Sequence, residues 1–250
     1  MQLKAERAEL RQFEAMRDIY RHEMNCQIIH DSIHARPGWT IEYLLSADGV
    51  AAGYGSVAVG GPWKNKPTIY EFFLLPAHRS RSFDFFSALG TASGAVMIET
   101  QSNDPGLTAM LFTFGKNVES ESILFHDAAT TSRVVPGATF RRVTAADAER
   151  VREQQLDEQA KWGVEFEGAV VAAGDILFHY NRPYGDIYMA VAEPFRRRGL
   201  GSYLVQELKR TCYEMGSIPA ARCNPANIAS RQTLQRAGFV PCGHILHGSL

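Results

Sequence analysis

The sequence Arg196-Arg197-Arg198-Gly199-Leu200-Gly201-Ser202 follows a predicted strand at 186–192 and leads directly into a predicted amphipathic helix at 201–215. Because glycine has no Cβ, the backbone of such a turn can approach an anion closely. The free N–H groups of the first helical turn and the helix dipole both favour negative charge at this point. The stretch therefore predicts a strand–turn–helix unit that binds a diphosphate.

Two other phosphate-binding motifs do not fit this stretch. No G-x-G-x-x-G follows the strand and no acidic residue stands at the distance that dinucleotide-binding folds require. No Lys-Ser or Lys-Thr closes the loop, which excludes a Walker motif. Taken alone, the short pattern also fits a capping turn with a solvated arginine face.

The chain around the turn alternates strands and helices. In the second half we predict strands at 140–143, 168–173, 175–180, 186–192, 218–223 and 239–246, and helices at 145–159, 201–215 and 227–237. The first half gives a weaker version of this order, with helices at 9–24, 83–91 and 107–114 and strands at 40–46, 50–59, 68–75 and 95–100. These assignments rest on apolar periodicity and on Gly and Pro as breaks between elements.

The two halves align as an internal duplication. Pro76 aligns with Pro194 at an offset of 118 residues (194 less 76), and two helices that end before Gly115 and Gly238 align at an offset of 123 (238 less 115). Repetition of one order of elements at a nearly fixed offset predicts two copies of one fold. We expect domains at 1–135 and 136–250, with the linker around Val135-Pro136-Gly137.

The region from about 140 to 250 resembles the GNAT N-acyltransferase superfamily. The motifs that carry the resemblance stand in the family's order: Tyr188-Met189-Ala190-Val191, the turn from Arg196 to Gly201, Ala220-Ala221-Arg222-Cys223, Asn227-Ile228-Ala229-Ser230, and Gly238-Phe239. The resemblance implies an α/β (α+β) fold of two tandem GNAT-like domains. Each domain is expected to be a mixed, mostly antiparallel twisted sheet flanked by helices.

The resemblance also implies a cosubstrate, acetyl-CoA, and the residues that bind it. The backbone of Arg197, Arg198, Gly199, Leu200, Gly201 and Ser202 would hold the pyrophosphate, with Arg196 at the first position of the motif. Met189, Ala190 and Val191 would pair with the pantetheine amides, Asn227 would hydrogen-bond the pantetheine arm, and Ser230 closes the Asn-x-x-Ser motif. Val191 is the expected donor to the thioester oxygen, where the two central strands splay apart.

The sequence identifies the residues that transfer protons less clearly than those that bind the cosubstrate. Many relatives carry a Tyr seven residues after the Asn, but that position here is Leu234. Others carry a Glu on the strand before the turn, and the nearest carboxylate here, Asp186, is one residue out of that register. Since one residue along a strand changes the face, the candidates for general base are Asp186, Glu165, Tyr188 and a water chain.

The first copy is expected to have lost the cosubstrate site. Arg81 and Phe83 align with Gly199 and Gly201, so side chains would fill the space that a pyrophosphate needs. We expect this copy to complete the fold and to wall the acceptor groove, as degenerate halves do in tandem members of the superfamily.

Composition limits the partners. Lys plus Arg (26) nearly balance Asp plus Glu (27), which gives no extended footprint for nucleic acid. No apolar run approaches a membrane span and the N-terminus does not read as a signal peptide, so we expect a cytoplasmic protein. The four cysteines show no C-x-x-C pairing and His30-Asp31-Ser32-Ile33-His34 has no further ligand pattern, so no metal is expected.

These observations predict an N-acetyltransferase that moves an acetyl group from acetyl-CoA directly to a primary amine of a small molecule or a peptide. The alternative is a non-catalytic acyl-CoA-binding sensor, which the missing Tyr and the position of Asp186 favour. The acceptor, the preferred acyl length and the possibility of a homodimer are left open by the sequence.

Overall fold

The computed structural model of the chain describes residues 2–250, which form two compact units. Unit 1 comprises Met1–Glu121 and Gly243–Leu250, and unit 2 comprises Ser122–Cys242. The last strand of the chain therefore contributes residues to both units. The two units are defined by their compactness. The domain limits expected from the sequence, 1–135 and 136–250, therefore stay a prediction.

Unit 1 is a twisted sheet with helices packed on it. Its elements are β1 (Leu3–Ala8), α1 (Glu14–Met24), β2 (Thr40–Ala47), β3 (Val50–Ala58), β4 (Thr68–Leu74), α2 (Ser82–Ser93), β5 (Met97–Gln101), α3 (Pro105–Phe114) and the first residues of β6 (Lys116–Asp127). The strands lie in the order β1-β2-β3-β4-β5, followed by residues 243–249, which run antiparallel to β5. All neighbours among β1 to β4 are antiparallel, whereas β4 and β5 are parallel.

Unit 2 repeats this plan. Its elements are the end of β6, β7 (Ala138–Arg142), α4 (Ala148–Glu153), β8 (Trp162–Phe166), β9 (Ala169–Leu177), β10 (Tyr184–Val191), α5 (Leu200–Glu214), β11 (Ile218–Cys223), α6 (Ile228–Arg236) and the beginning of β12 (Phe239–Ser249). The strands lie in the order β6-β11-β10-β9-β8-β7, and β10 and β11 are its parallel pair.

Each unit has its own hydrophobic core between the sheet and two helices. In unit 1, Leu45, Ile69 and Ile98 of the sheet pack with residues of α2 and α3. In unit 2, Ile187 and Ala221 pack with Leu204 and Leu208 of α5. The period of three to four residues that predicted the helix at 201–215 thus places its apolar face on the sheet.

The parallel pair opens in the same way in both units. β10 pairs with β11 only as far as Ile187↔Ala221, and β4 pairs with β5 only at Thr68↔Met97 and Ile69↔Ile98. Beyond these pairs β10 continues beside β9, and β4 continues beside β3. Each unit therefore contains a V-shaped gap between two central strands, as the resemblance implied.

Several sequence-based element assignments were wrong in extent. The segments expected at 168–173 and 175–180 form one strand, β9, which runs from Ala169 to Leu177 and ends before residue 178. Gly174 lies within it because a Cβ there would collide with the carbonyl oxygen of Tyr188. The helix expected at 145–159 is only Ala148–Glu153, since Leu156 and Ala160 pack into the core from an irregular segment. The helix expected at 9–24 begins at Glu14, and β1, β6 and β8 were missed.

Among residues 2–250, none of the helices has both the length and the apolar character that a bilayer crossing requires.

Candidate functional site

The turn between β10 and α5 has the backbone of an anion-binding loop. A short 3₁₀ turn at Glu193–Phe195 follows β10, and the chain then passes through left-handed conformations at Arg197 (φ 64°) and Gly199 (φ 84°) before α5 begins at Leu200. Successive turns of this kind direct neighbouring N–H groups to one side of the chain. Gly199 permits the second left-handed residue without steric cost.

The main-chain N–H groups of residues 197–202 are uncommitted. Within the described chain none of them donates a hydrogen bond, whereas Arg196 N–H donates to Glu193 O (3.2 Å) and Tyr203 N–H donates to Gly199 O (3.0 Å). The first turn of α5 contains no acidic residue. The helix N-terminus therefore presents several free donors and a positive dipole end with no negative side chain to neutralise it.

The two glycines of the turn have different reasons to be glycine. A Cβ on Gly199 would meet only Val135 Cγ2, at 3.7 Å, so this position is limited by its φ and not by space. A Cβ on Gly201 would lie 3.2–3.3 Å from Thr233, Met189 and Val191. Gly201 thus lets α5 pack closely against α6 and β10, and Ser202 Oγ adds a hydrogen bond to Thr233 O (3.3 Å).

The three arginines of the turn differ in their contacts. Arg196 Nε donates to the carbonyl of Val191 (3.0 Å) and so ties the turn to the end of β10. Arg198 contacts Glu167 Oε1 at 3.4 Å and lies 5.4 Å above the ring of Phe195. Arg197 is exposed, and within residues 2–250 its side chain makes neither an ion pair nor a hydrogen bond. Arg197 is therefore the cation of the triplet that can turn to a ligand.

The end of β10 offers a free strand edge beside the turn. Ala192 N–H donates to Val171 O (2.9 Å), toward the β9 side. Because successive residues of a strand direct their hydrogen-bonding groups to opposite edges, the N–H groups of Met189 and Val191 point to the other side, where β11 has diverged. Ala190, between them, is exposed. The sequence-predicted trio Met189, Ala190 and Val191 thus borders the gap.

Asn227 closes the opposite side of the gap. Its side-chain Oδ1 accepts a hydrogen bond from Ser230 N–H (3.0 Å), which caps α6. The cap holds Asn227 in place and leaves its amide Nδ2 as a donor, since an asparagine amide carries both an acceptor and donors. Asn227 and Ser230 are therefore brought together, with Ser230 contributing its N–H to the cap.

Asp186 is a buried carboxyl on β10, 4% exposed, at the point where the strands part. Its Oδ2 lies 3.2 Å from Arg222 Nε, and its Oδ1 has no hydrogen-bond partner. Burial raises the pKa of Asp186 to about 6, although the charge and hydrogen bond of Arg222 act in the opposite direction. At neutral pH this group is mostly ionised, and its unpartnered Oδ1 is buried within the protein.

Tyr188 lies two residues further along β10 on the same face, about 7 Å from Asp186 by strand geometry. Its hydroxyl donates to Asp157 Oδ2 (2.6 Å). Burial, with the hydrogen bond and charge of Asp157 added, raises the pKa of Tyr188 above its ordinary value. Tyr188 therefore stays protonated and is suited to donating rather than accepting a proton.

Glu165, the third catalytic candidate, is not brought to the other two. It pairs with Val170 on β9, whereas Asp186 pairs with Leu177, seven positions away, which corresponds to about 24 Å along a strand. Its Oε2 accepts from Arg141 Nε (2.7 Å) in an ion pair that also contains Asp147. Its assignment to catalysis stays a prediction.

Two contributors to the site were missed from the sequence. Arg222 pairs with Asp186, and Asp157 holds the Tyr188 hydroxyl. Arg222 stands two residues after Ala220, the β11 partner of Asp186, so it shares a face with Asp186 once the register is known. The sequence alone does not give the register between β10 and β11, and so these two contributors could not be identified from it.

The corresponding turn of unit 1 carries charged and aromatic side chains. Arg79 Nε donates to Leu74 O (3.0 Å), as Arg196 does to Val191 O, which relates the two units at an offset of 117 (196 less 79), one less than the sequence alignment gave. At this offset Ser82 and Asp84, and not Arg81 and Phe83, correspond to Gly199 and Gly201. Arg81 forms an ion pair with Asp84 (2.9 Å) in the first turn of α2, and Phe83 projects from the same turn.

Within residues 2–250, no three His, Cys, Asp or Glu side chains come together as ligands. The side chain of His34, from the cluster at 30–34, is buried in unit 1 between Glu42 (2.7 Å) and Glu71 (3.3 Å).

Comparison with known proteins gives a family match over part of the chain and a fold for the whole of it. Residues 133–239 match the model of the acetyltransferase (GNAT) family. A GNAT-family acetyltransferase from Colwellia psychrerythraea is similar in structure, with a TM-score of 0.74, 13% identity and full coverage of both chains. A tandem GNAT protein from the clavulanic acid biosynthesis pathway has a TM-score of 0.67 and 12% identity, covering 100% of this chain and 98% of that chain.

A third solved structure, a GCN5-related N-acetyltransferase from Sphaerobacter thermophilus, has a TM-score of 0.52 and 16% identity over 82% of this chain and 79% of that chain. Among curated proteins no relative matches the sequence. At these identities the solved structures show the fold alone. The expected mixed α/β fold in two tandem copies is confirmed.

Proposed function

We propose that this protein moves an acetyl group from acetyl-CoA directly to a primary amine. Residues 133–239 match the model of the acetyltransferase (GNAT) family, whose members transfer acyl groups from acyl-CoA. The observation that carries the proposal is the row of uncommitted N–H groups at 197–202 at the N-terminus of α5. Such a helix N-terminus, free of acidic side chains, is a suitable site for a pyrophosphate.

The residues present fit the cosubstrate along its length. The N–H groups of 197–202 bind the pyrophosphate, and Arg197 adds a charge that no other side chain of the described chain takes up. The free edge of β10 at Met189 and Val191 pairs with the amides of the pantetheine arm in the manner of an added strand. Asn227 Nδ2 donates to the same arm from the N-terminus of α6.

The bound thioester supplies an activated carbonyl. Val191 N–H faces the gap and donates to the carbonyl oxygen as negative charge develops there. The carbonyl of Val191 is occupied by Arg196, which holds this end of β10 in position.

The acceptor amine must lose a proton as its nitrogen bonds to the carbonyl carbon and the carbon–sulfur bond breaks. Asp186 Oδ1 accepts this proton, because it is unpartnered and its carboxyl has a pKa of about 6. Arg222 orients the carboxylate through Oδ2, and Tyr188 presents a protonated hydroxyl on the same face. Leu234, which stands where many relatives have the acid Tyr, is buried in the core, so the sulfur leaves as the thiolate.

The acceptor is a small-molecule or peptide amine in this proposal. Three carboxylates lie on or against this face of β10 and β9. Asp175 pairs with Lys161 and Asp186 pairs with Arg222. Asp157 accepts a hydrogen bond from the Tyr188 hydroxyl. A site with this arrangement of carboxylates can receive an ammonium group before it is deprotonated.

The test is calorimetric titration of the full chain with acetyl-CoA. Gly199→Glu places a negative side chain on the proposed pyrophosphate site and should raise the Kd at least about 100-fold. Gly94→Glu is the matched control: it places the same side chain at another glycine of positive φ (64°) with open space around it, outside the proposed site, and should leave the Kd unchanged. An unchanged Kd in a folded Gly199→Glu variant contradicts the proposal.

A second assay separates an enzyme from an acyl-CoA sensor. Release of free thiol from acetyl-CoA with a panel of primary amines, including polyamines, aminoglycosides and peptides, should rise above hydrolysis for at least one amine. Binding without amine-dependent release across the panel would favour the sensor, which the missing Tyr at Leu234 already supports.

A further inference from the structure

Unit 1 keeps the V-shaped gap, and a cavity lies beside β4. The cavity has a volume of about 320 Å³ and lies between β4 and the N-terminal ends of α2 and α3. Its walls are largely apolar and are formed by Phe72, Phe73, Leu74, Phe83, Ala109 and Met110. Pockets that hold small molecules begin at about 300 Å³.

One wall of the cavity is a free strand edge. Leu75 N–H donates to Ala52 O (2.9 Å), on the β3 side. By the alternation along a strand, the N–H groups of Phe72 and Leu74 and the carbonyl of Phe72 point to the opposite side, beyond the last β4–β5 pair at Ile69. The carbonyl of Leu74 is already taken by Arg79. The edge can therefore hydrogen-bond to an extended chain that carries amides.

The charges around the cavity disfavour an anion. Asp84 stands in the first turn of α2, and Asp104 caps α3 by accepting from Leu107 N–H (3.0 Å). Both helix N-termini thus already carry a carboxylate, which neutralises the dipole. Arg79, the cation at the rim, is held by both carboxylate oxygens of Glu23 (2.5 and 2.7 Å).

The carboxylate at the buried end of the cavity also has hydrogen-bond partners. Asp104 Oδ2 accepts from the Tyr20 hydroxyl (2.8 Å), and burial raises the pKa of Asp104. No cation among the residues that line the cavity is left to pair with a carboxylate or phosphate of a ligand.

We propose that this cavity of unit 1 binds a neutral, extended acyl amide, with its amide hydrogen-bonded to the edge of β4 at Phe72 and Leu74 and its acyl chain against Phe73 and Met110. This site is separate from the proposed acetyl-CoA site and does not depend on it. The family resemblance gives unit 1 no ligand of its own. The ligand class follows from the apolar walls of the cavity, the free strand edge and the paired charges.

The probe for the test is N-hexanoyl-glycinamide, which is uncharged and has two amides and a short apolar chain. Titrated calorimetrically into the full chain, it should saturate with a Kd of about 0.1–1 mM, as expected for a ligand of this size. Hexanoate, which has the same chain but a carboxylate, should bind at least about tenfold more weakly.

Two matched substitutions locate the site. Ala109→Phe adds a ring to the cavity wall from an exposed position of α3 and should raise the Kd of the probe at least about tenfold. Ala92→Phe adds the same ring at an exposed position of α2 that does not line the cavity and should leave the Kd unchanged. Both variants should keep the circular dichroism spectrum and acetyl-CoA affinity of the unmodified chain.

Three results overturn the proposal: the absence of saturable probe binding, equal Kd values for the two phenylalanine variants, or hexanoate binding as tightly as the amide. Gly199→Glu provides the separation from the proposed function. It should abolish acetyl-CoA binding and leave probe binding intact, and joint loss of both would contradict an independent site in unit 1.

Discussion

Both units contain the same strand–turn–helix, but the N-termini of their helices differ in charge. In unit 2 the first turn of α5 has no acidic residue and the cap of α6 is the neutral Asn227. In unit 1 the first turn of α2 contains Asp84 and the cap of α3 is Asp104. A helix dipole favours an anion only where no carboxylate already neutralises it. Asp84 and Asp104 therefore make the helix N-termini of unit 1 less suited to an anion than those of unit 2.

A second contrast concerns the buried carboxyls of β4 and β10. Glu71 of β4 accepts hydrogen bonds from Arg17 (3.0 and 3.1 Å) and Tyr54 (2.9 Å) and contacts His34 (3.3 Å). Burial alone would raise the pKa of Glu71, but the charge of Arg17 and the contacts of His34 hold it well below its usual range. Asp186 has one cationic partner and a free oxygen, and its pKa is raised. A fully partnered carboxylate stabilises a fold, whereas a partly partnered one can exchange a proton.

The largest expected effect comes from removing the partner of the saturated carboxylate. Arg17→Ala leaves Glu71 buried without its main counter-charge and should lower the free energy of unfolding by about 3–5 kcal/mol. Urea denaturation measures this loss in the free energy of unfolding, and hydrogen exchange of the β4 amides measures it locally. Arg152→Ala, which removes an exposed pair with Glu158, should leave the midpoint unchanged. Equal midpoints for the two variants would show that the Glu71 cluster contributes no stability.

Asp186→Asn should lower kcat/KM by about 10²- to 10³-fold, because the amide cannot accept the proton of the amine. In the unmodified protein kcat/KM should fall as the pH drops through about 6, where Asp186 becomes protonated. Arg222→Ala removes an interaction that lowers this pKa, so the fall should move to higher pH.

The control for this experiment is Glu165→Gln, the other carboxylate candidate, which should change kcat/KM by less than about twofold since Glu165 lies far along the sheet. A pH profile that keeps its acid limb in Asp186→Asn would remove Asp186 as the base.

A smaller effect should separate the arginines of the turn. Arg197→Ala removes a cation that no other side chain of the described residues binds and should weaken acetyl-CoA binding about fivefold at low salt, less at high salt. Arg198→Ala, which removes a side chain engaged by Glu167 and Phe195, should weaken binding by less than about twofold. Titration at two salt concentrations measures both, and the reverse order would mean that Arg198 leaves its contacts to bind the ligand.

The smallest effect tests the helix caps. Asn227→Asp keeps the cap, so stability should change by less than about 0.5 kcal/mol. The added charge should weaken acetyl-CoA binding about two- to threefold. Asp104→Asn, the opposite exchange in unit 1, should leave acetyl-CoA affinity unchanged. A change in acetyl-CoA affinity with Asp104→Asn would show that unit 1 takes part in its binding.

Local sequence signals predicted the elements that flank the site and missed those whose signals are weak. The strand at 218–223 and the helix at 201–215 agree with β11 and α5 to within a residue. β1 (LKAERA) and the beginning of β6 (KNVESE) are rich in charged residues, which suppress a strand prediction. Gly174 was taken as a break because glycine usually punctuates, although here it permits close approach of β10.

The candidate site also has a part that the sequence predicted and a part that it missed. A local pattern was enough to identify the turn at 196–202, because its donors belong to consecutive residues. The partners of Asp186 and Tyr188, Arg222 and Asp157, come from other segments, so their positions depend on strand register and packing. A single sequence contains no information on a register until the turns between the strands are known.

The last strand of the chain has a consequence for biosynthesis. Residues 245–249 pair with β5, so the sheet of unit 1 includes a segment that is synthesised after the whole of unit 2. N-terminal domains commonly fold while synthesis continues, but the sheet of unit 1 stays incomplete until Ser122–Cys242 have been synthesised. Until residues 245–249 follow, β5 has an open edge, and a chain truncated before residue 243 lacks a strand of unit 1.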